Sequence, residues 1–393
     1  MTARWAVRAG PGFFPQDKSN PTRSATKNTP CGCFFVAKKD SNGMQEQQTS
    51  KAGNRAETPK TIRYGQRRTT KVELGGNSVK TVIMESLGIS AEELARYKKP
   101  FEDQGMVFSE YERTSDPERM IAQAKDADVM IVANMPVPER VIRACGQLKF
   151  IDVAFTGVDH IPLRAAGEMG IAVSNASGYS TEAVAELVLG MALSMARNLR
   201  AVEDRCREGK TKDGLIGWEI KGKTVGIIGL GKIGTRTAEL FHAFGAEILA
   251  HSRTLHADAP AYIRQTTLEE VLEKADIVAL HCPLNEETRG MINREELGRM
   301  KKTALLINAA RGPVVAEKDL LEALRSGDLA GAALDVFNSE PPLDPALPLL
   351  QTDHTLLTPH VAFATRESMQ LRAQIVFDNL QSWLKGEQIN RVI

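Results

Sequence analysis

Residues 224–234 read Thr-Val-Gly-Ile-Ile-Gly-Leu-Gly-Lys-Ile-Gly, and the fold follows from how that stretch divides. Thr224–Ile228 is a short apolar run rich in β-branched residues, the pattern of a strand buried on both faces. Gly229, Gly231 and Gly234 then fall in a GxGxxG spacing, and Lys232 and Ile233 open a helical pattern. A strand that turns at a glycine into a helix aims the helix N-terminus, with its unpaired N–H groups and positive dipole end, at whatever lies above the turn. Gly229 permits the turn, Gly231 lets a pyrophosphate approach the backbone, and Gly234 lets helix and strand pack closely. The stretch predicts a dinucleotide site with contacts from Gly229, Gly231, Lys232, Ile233 and Gly234.

Outward from this point, short apolar runs alternate with helical patterns on both sides. Downstream, Glu247–Ala250, Asp276–Leu280, Ala304–Ile307, Gly331–Leu334 and Thr355–Leu357 bring the strands to six, a doubly wound parallel sheet of Rossmann type. Thr267 and Glu270 read as a capping box and Gly327 as a helix stop. Upstream, Val79–Met84, Asp128–Val132, Lys149–Val153 and Ile171–Ser174 alternate with helical patterns such as Pro138–Cys145, implying a smaller, flavodoxin-like parallel-sheet domain. Thr181–Asn198 keeps helical spacing at Val184, Leu187, Val188, Met191 and Met195, with Ser180 or Thr181 as N-cap. The last segment, Arg366–Lys385, reads as a helix returning to the first domain. The expected class is therefore α/β, with a cofactor domain (residues 179–360) inserted into a substrate domain (residues 79–178, completed by 361–393).

The chain has 393 residues with 50 basic and 49 acidic side chains, so the whole molecule carries no field that recruits nucleic acid or an anionic membrane. The balance hides an asymmetry: residues 1–80 hold 15 basic and 5 acidic side chains, against 35 and 44 in residues 81–393. Residues 1–78 show neither helical nor strand periodicity and read as a disordered basic leader, with organellar targeting as one role for it. The five cysteines, Cys31, Cys33, Cys145, Cys206 and Cys282, are scattered and odd in number, which fits a reducing, cytoplasmic setting. The longest apolar run, Leu187–Ala196, falls short of the roughly 20 residues a spanning helix needs, and no metal-ligand spacing is present.

A dinucleotide sheet that selects NAD places an Asp or Glu at the end of its second strand, to accept from the ribose hydroxyls. Here that strand ends Ala250-His251-Ser252-Arg253. A serine hydroxyl and a guanidinium suit a 2′-phosphate, so the reading favours NADP(H), with NAD(H) possible as cofactor.

Four further blocks carry chemistry: Thr156-Gly157-Val158-Asp159; Asn308-Ala309-Ala310-Arg311-Gly312; Leu334-Asp335-Val336-Phe337 through Glu340-Pro341; and Thr358-Pro359-His360. Each follows a strand, where an open parallel sheet binds ligands. In this order after the glycine loop they resemble the D-isomer-specific 2-hydroxyacid dehydrogenases over residues 79–393, including glyoxylate/hydroxypyruvate reductases and phosphoglycerate dehydrogenases. The resemblance implies a catalytic set of Arg311, Glu340 and His360. Arg311 is a planar fork for a substrate carboxylate and carbonyl, His360 a general acid-base, and Glu340 the carboxylate that fixes its tautomer. It also implies substrate contacts from Thr156, Gly157 and Val158, and cofactor contacts from Ala309, from Asp335 at the nicotinamide, and from Cys282, Pro283 and Thr288 by the adenine ribose. A homodimer built on the Thr181–Asn198 helix is a further implication.

Glu340 stands where formate dehydrogenases carry Gln. The loop Asn134-Met135-Pro136-Val137 contains no cation of its own to meet a substrate phosphate, which points to a small 2-oxo or 2-hydroxy acid such as glyoxylate or hydroxypyruvate. His242, His251, His256, His281 and His354 read as surface or packing residues. The competing reading is an NAD(H)-sensing, corepressor-like binding protein on the same fold, against which stand the retained Arg311, Glu340 and His360.

Overall fold

The computed structural model describes residues 78–393, so the basic leader, with Cys31 and Cys33, lies outside the described residues. The chain first builds strands β1 (Lys80–Ile83), β2 (Val107–Glu110), β3 (Val129–Val132), β4 (Phe150–Val153) and β5 (Ala172–Asn175). Helices α1 (Ala91–Glu102), α2 (Pro117–Ala124), α3 (Glu139–Ala144) and α4 (Leu163–Glu168) alternate with them. Helices α5 (Thr181–Ala196) and α6 (Leu199–Arg207) lead into the second sheet. Its strands are β6 (Thr224–Ile228), β7 (Glu247–His251), β8 (Ile263–Gln265), β9 (Ile277–Leu280), β10 (Leu305–Asn308), β11 (Gly331–Leu334) and β12 (Thr355–Leu357). Helices α7 (Lys232–Ala243), α8 (Leu268–Lys274), α9 (Arg294–Arg299) and α10 (Glu317–Ser326) lie between them, and α11 (Arg366–Leu384) closes the chain.

The first sheet runs β2-β1-β3-β4-β5 and the second β12-β11-β10-β9-β6-β7-β8. All strand pairs are parallel. Chain direction across each sheet reverses once, between β1 and β3 in the small sheet and between β6 and β9 in the large one. At such a point neighbouring connections leave on opposite faces and open a crevice at the carboxyl ends of the strands. The second sheet has seven strands rather than the six read from sequence. The added strand, β8, is a three-residue edge strand whose Arg264 is exposed. Edge strand β2 escaped notice for the same reason: Val107 and Glu110 are exposed, so it lacks the continuous apolar run of a central strand.

The returning helix α11 packs on the small sheet. Phe377 stacks on Tyr97 of α1 at 5.2 Å, and Trp383 stacks on Phe150 of β4 at 5.0 Å. Each such pair contributes about 0.5–1.5 kcal/mol beyond the area it buries. Asn379 of α11 donates to the buried Asp152 of β4 at 2.9 Å, and burial holds that carboxyl well above the usual carboxylate range. Helix α5 begins at Ser180 without a side-chain cap bond and buries Val184, Val188 and Met191 in the core shared with the large sheet. Thr267 accepts from the Glu270 amide at 3.2 Å, while the Glu270 carboxylate turns outward to Lys274 and Arg264. Gly327 caps α10 at φ +73°. Among the described residues, no helix is long and apolar enough to cross a membrane.

Candidate active site

The loops after β4, β6, β9, β10 and β12 line one cleft of about 490 Å³, within the range of small-molecule sites. Thr156, Gly157 and Val158 form one wall, Ile233 of α7 and Cys282 and Pro283 another, and Ala309, Arg311 and His360 the floor between them.

His360 reaches the cleft on a strained backbone, with φ +54°. Its loop is pinned by Asp335 at the end of β11. That carboxylate is fully buried and accepts from the Thr358 hydroxyl at 2.6 Å and from the amides of Val361 and Ala362 at 2.8 and 2.9 Å. The His360 amide donates to the Asp335 carbonyl at 2.8 Å. His360 Nδ1 lies 2.7 Å from Glu340 Oε2. An acceptor-only carboxylate there requires the proton on Nδ1, which leaves Nε2 to exchange a proton with the cleft. Burial pushes the Glu340 carboxyl up, but the bond and charge of His360, with Arg311 and Arg113 nearby, outweigh it and hold the group below its usual range.

Arg311 is placed by Asn308, whose side chain receives the Ala310 amide at 3.0 Å and donates to the Arg311 carbonyl at 2.9 Å. Its guanidinium donates from Nε to Asp159 at 2.9 Å and from Nη1 to the Ala310 carbonyl at 2.8 Å. A Cβ on Gly157 would fall 1.6 Å from Arg311 Nη2, so the missing side chain at 157 is what admits the guanidinium. Phe155 packs beside both Arg311 and His360. Its centroid is 5.7 Å from the Arg311 guanidinium and 5.6 Å from the His360 ring, which meets it edge to face.

The glycine turn supplies the other half of the cleft. Gly229 has φ +101°, and a Cβ there would lie 2.6 Å from the Cys282 amide nitrogen, whereas the space beside Gly231 is open to 4 Å. That bare backbone at the start of α7 is a cradle that a side chain would fill. His281 Nε2 and Thr156 Oγ1 are buried without a hydrogen-bond partner, although both residues line the cleft. Buried polar atoms in this state are suited to a ligand's groups. The donor set therefore fits a dinucleotide. Lys232 begins α7, and Ile233 and Ala309 face the cleft.

At the far end of the cradle, Ser252 Oγ lies 3.3 Å from His256 Nε2, and the exposed Arg253 pairs with Glu287 at 3.0 Å. Thr288 does not line the cleft; its hydroxyl donates to the Pro283 carbonyl at 2.6 Å and closes the turn after β9. Asp335 does not line it either, being engaged with the loop that carries His360.

Sequence reasoning missed several contributors. His281, read as a packing residue, lines the cleft, and burial pushes its imidazole down to about 4. Asn308 and Asp159 belong to quoted blocks yet had no role until folding brought them to Arg311. The loop Asn134–Val137 has no cation in its own sequence, but Arg113 from the loop after β2 places Nη1 2.6 Å from Asn134 Oδ1. No local signal marks a partner 21 residues away.

A Rossmann-type sheet with a bare glycine cradle, opening onto an imidazole–carboxylate pair and an arginine, defines a nicotinamide-dependent oxidoreductase. Residues 189–362 match the family described as D-isomer specific 2-hydroxyacid dehydrogenase, NAD binding domain. A glyoxylate reductase of Thermofilum pendens is 40% identical over 279 residues, covering 69% of this chain and 82% of that protein. A hydroxypyruvate reductase of Blautia hydrogenotrophica is 35% identical over 294 residues, covering 72% and 90%. Among solved structures, D-lactate dehydrogenase from Aquifex aeolicus, complexed with NAD and lactic acid, aligns with a TM-score of 0.70 at 28% identity, covering 78% of this chain and 96% of that one. The chain belongs to the D-isomer-specific 2-hydroxyacid dehydrogenase family.

Proposed function

We propose that the protein reduces a small 2-oxo acid of the glyoxylate or hydroxypyruvate class to the D-2-hydroxy acid, and runs the reverse oxidation when the acid is supplied reduced. The observation that carries this reading is that His360, paired with Glu340 at 2.7 Å, shares one cleft with Arg311. Arg311 binds the substrate carboxylate and polarises the carbonyl, using the guanidinium edge left over after Asp159 and Ala310. The amides of Thr156, Gly157 and Val158 share in holding the carboxylate. The bound cofactor supplies the hydride that reaches C2. His360, protonated on both nitrogens, gives the Nε2 proton to the carbonyl oxygen as negative charge develops there, and Glu340 stabilises the imidazolium beforehand. In oxidation the neutral imidazole takes that proton back.

Gly229, Gly231, Gly234, Lys232 and Ile233 would hold the pyrophosphate, Cys282 and Pro283 would lie by the adenine ribose with Thr288 shaping their turn, Ala309 would border the cofactor in the cleft, and Asp335 would act on the nicotinamide side through the loop that carries His360. We favour NADP(H), because Ser252 and Arg253 follow β7, where a hydroxyl and a guanidinium would suit a 2′-phosphate, and Arg253 would exchange an exposed partner, Glu287, to meet it. The same pair makes the preference modest, since Glu287 repels the phosphate that Arg253 attracts. A homodimer using α5 and a cytoplasmic location belong to the same reading. The corepressor-like alternative has less support, since both relatives compared are named as reductases.

The test is steady-state turnover, followed by nicotinamide absorbance, with glyoxylate, hydroxypyruvate and pyruvate against NADPH and NADH. Reduction of at least one of the first two is expected, with a several-fold NADPH preference that Arg253→Ala removes. Binding of either cofactor without turnover of any acid would refute the enzymatic reading.

A further inference from the structure

The carboxyl end of the small sheet has its own switch point, between β1 and β3, and it is occupied by protein. Glu85, just beyond β1, is 6% exposed, and its Oε1 accepts from the amides of Ala133 and Met135 at 2.8 Å each. This fixes the loop after β3 and presents Asn134 between those two amides. Arg113 Nη1 lies 3.3 Å from Glu85 Oε2 and 2.6 Å from Asn134 Oδ1. Asn134 Nδ2 lies 3.4 Å from Glu340 Oε2, the oxygen that meets His360.

The chemistry of the partners sets the orientation of this amide. A guanidinium only donates, so the Asn134 oxygen must face Arg113; a carboxylate only accepts, so the nitrogen must face Glu340. Arg113, Asn134, Glu340 and His360 thus form one polar chain that starts in the substrate domain and ends on the imidazole. We propose that Arg113 and Asn134 are positioning residues for the acid-base pair, completing the hydrogen bonding of Glu340 from the loops after β2 and β3 so that His360 is set for proton transfer. This inference rests on the proposed role of His360.

The charges facing the pair come from several elements. Arg311 after β10 and Arg113 after β2 favour the Glu340 carboxylate, and Asp335 after β11 faces His360. His160 after β4 lies within reach of Glu340, but burial pushes it down to about 4, so it is neutral near pH 7. Asp159 is bound to Arg311. Within this set, replacing Asn134 by Asp keeps the acceptor for Arg113 and puts a second carboxylate beside Glu340. Imidazolium is then favoured, and His360 must lose its proton at higher pH.

The experiment records kcat and KM for reduction against pH in wild type, Asn134→Asp, Arg113→Met, Arg113→Lys and His360→Asn. The His360 titration is followed in parallel by NMR and identified by its loss in His360→Asn. Asn134→Asp is expected to move both the alkaline limb of the rate profile and the NMR midpoint up by about one pH unit. Arg113→Met is expected to lower kcat roughly tenfold with little change in cofactor KM, and Arg113→Lys, also donor-only, to recover most of it. Near-isosteric Asn134→Asp keeps the proposal testable even if Arg113→Met folds poorly. An inactive His360→Asn together with wild-type profiles in Asn134→Asp and Arg113→Met would overturn this inference and leave the proposed function standing. Wild-type activity in His360→Asn would overturn both.

Discussion

The two sheets reverse direction by the same topology, yet their switch points are put to opposite uses. In the large sheet the reversal between β6 and β9 is kept bare: Gly229 tucks against Cys282, and Gly231 faces open space at the start of α7. In the small sheet the reversal between β1 and β3 is filled from within, since Glu85 takes up the Ala133 and Met135 amides that a ligand would otherwise meet. One crevice is left open and the other is filled. What the filled one builds is the Arg113–Asn134 arm that reaches Glu340, so each sheet contributes one side of the surroundings of the His360–Glu340 pair.

Emptying the filled switch point should give the largest effect on stability. Glu85→Ala leaves two buried amides without an acceptor and is expected to cost about 2–4 kcal/mol in chemical denaturation. Glu85→Gln retains the shared oxygen and should recover much of that. Equal stability of the alanine variant and wild type would break the contrast between the crevices.

Filling the bare one comes next. Gly229→Ala forces a side chain into φ +101° with its Cβ 2.6 Å from the Cys282 nitrogen. A loss of about 1–3 kcal/mol is expected, with weaker cofactor binding by calorimetry. Unchanged affinity would mean that the cradle is not where the dinucleotide sits.

A smaller, graded effect concerns pH. His160 and His281 flank the two halves of the cleft, and burial pushes each down to about 4 from an ordinary 6.5. The unfolded chain therefore binds protons on these groups that the folded chain refuses. Their stabilisation is fully present above pH 6.5, is lost progressively as pH falls, and levels off near 4. A decline across this window is expected, and His281→Gln should flatten it. A pH dependence of melting temperature identical in wild type and His281→Gln would show that the His281 ring is not held neutral.

The difference between the crevices also explains what could be read from sequence. The bare switch point is written locally: Thr224–Gly234 contains strand, turn and helix start within eleven consecutive residues, and the geometry demands glycine. The blocks around Arg311, Glu340 and His360 could be marked in the sequence because each follows a strand, and folding brings the three side chains near one another. The filled switch point is assembled from Glu85, Arg113 and Asn134, three loops whose residues look like ordinary surface polar groups until β1, β2 and β3 align. Strands β2 and β8 were missed because edge strands need not be apolar on both faces. Asp335 is similar, since its buried carboxylate serves three donors from a loop more than 20 residues on.

On the proposed reading, His360 carries the proton in a reaction prepared by both sheets. It is tested most directly by the pH dependence of kcat for reduction of glyoxylate and hydroxypyruvate, in wild type and His360→Asn. The account requires a wild-type rate that falls as pH rises through the deprotonation of His360. It also requires a variant roughly 10²–10⁴-fold slower that lacks this limb. A variant that matches wild type in rate and in pH profile would contradict it.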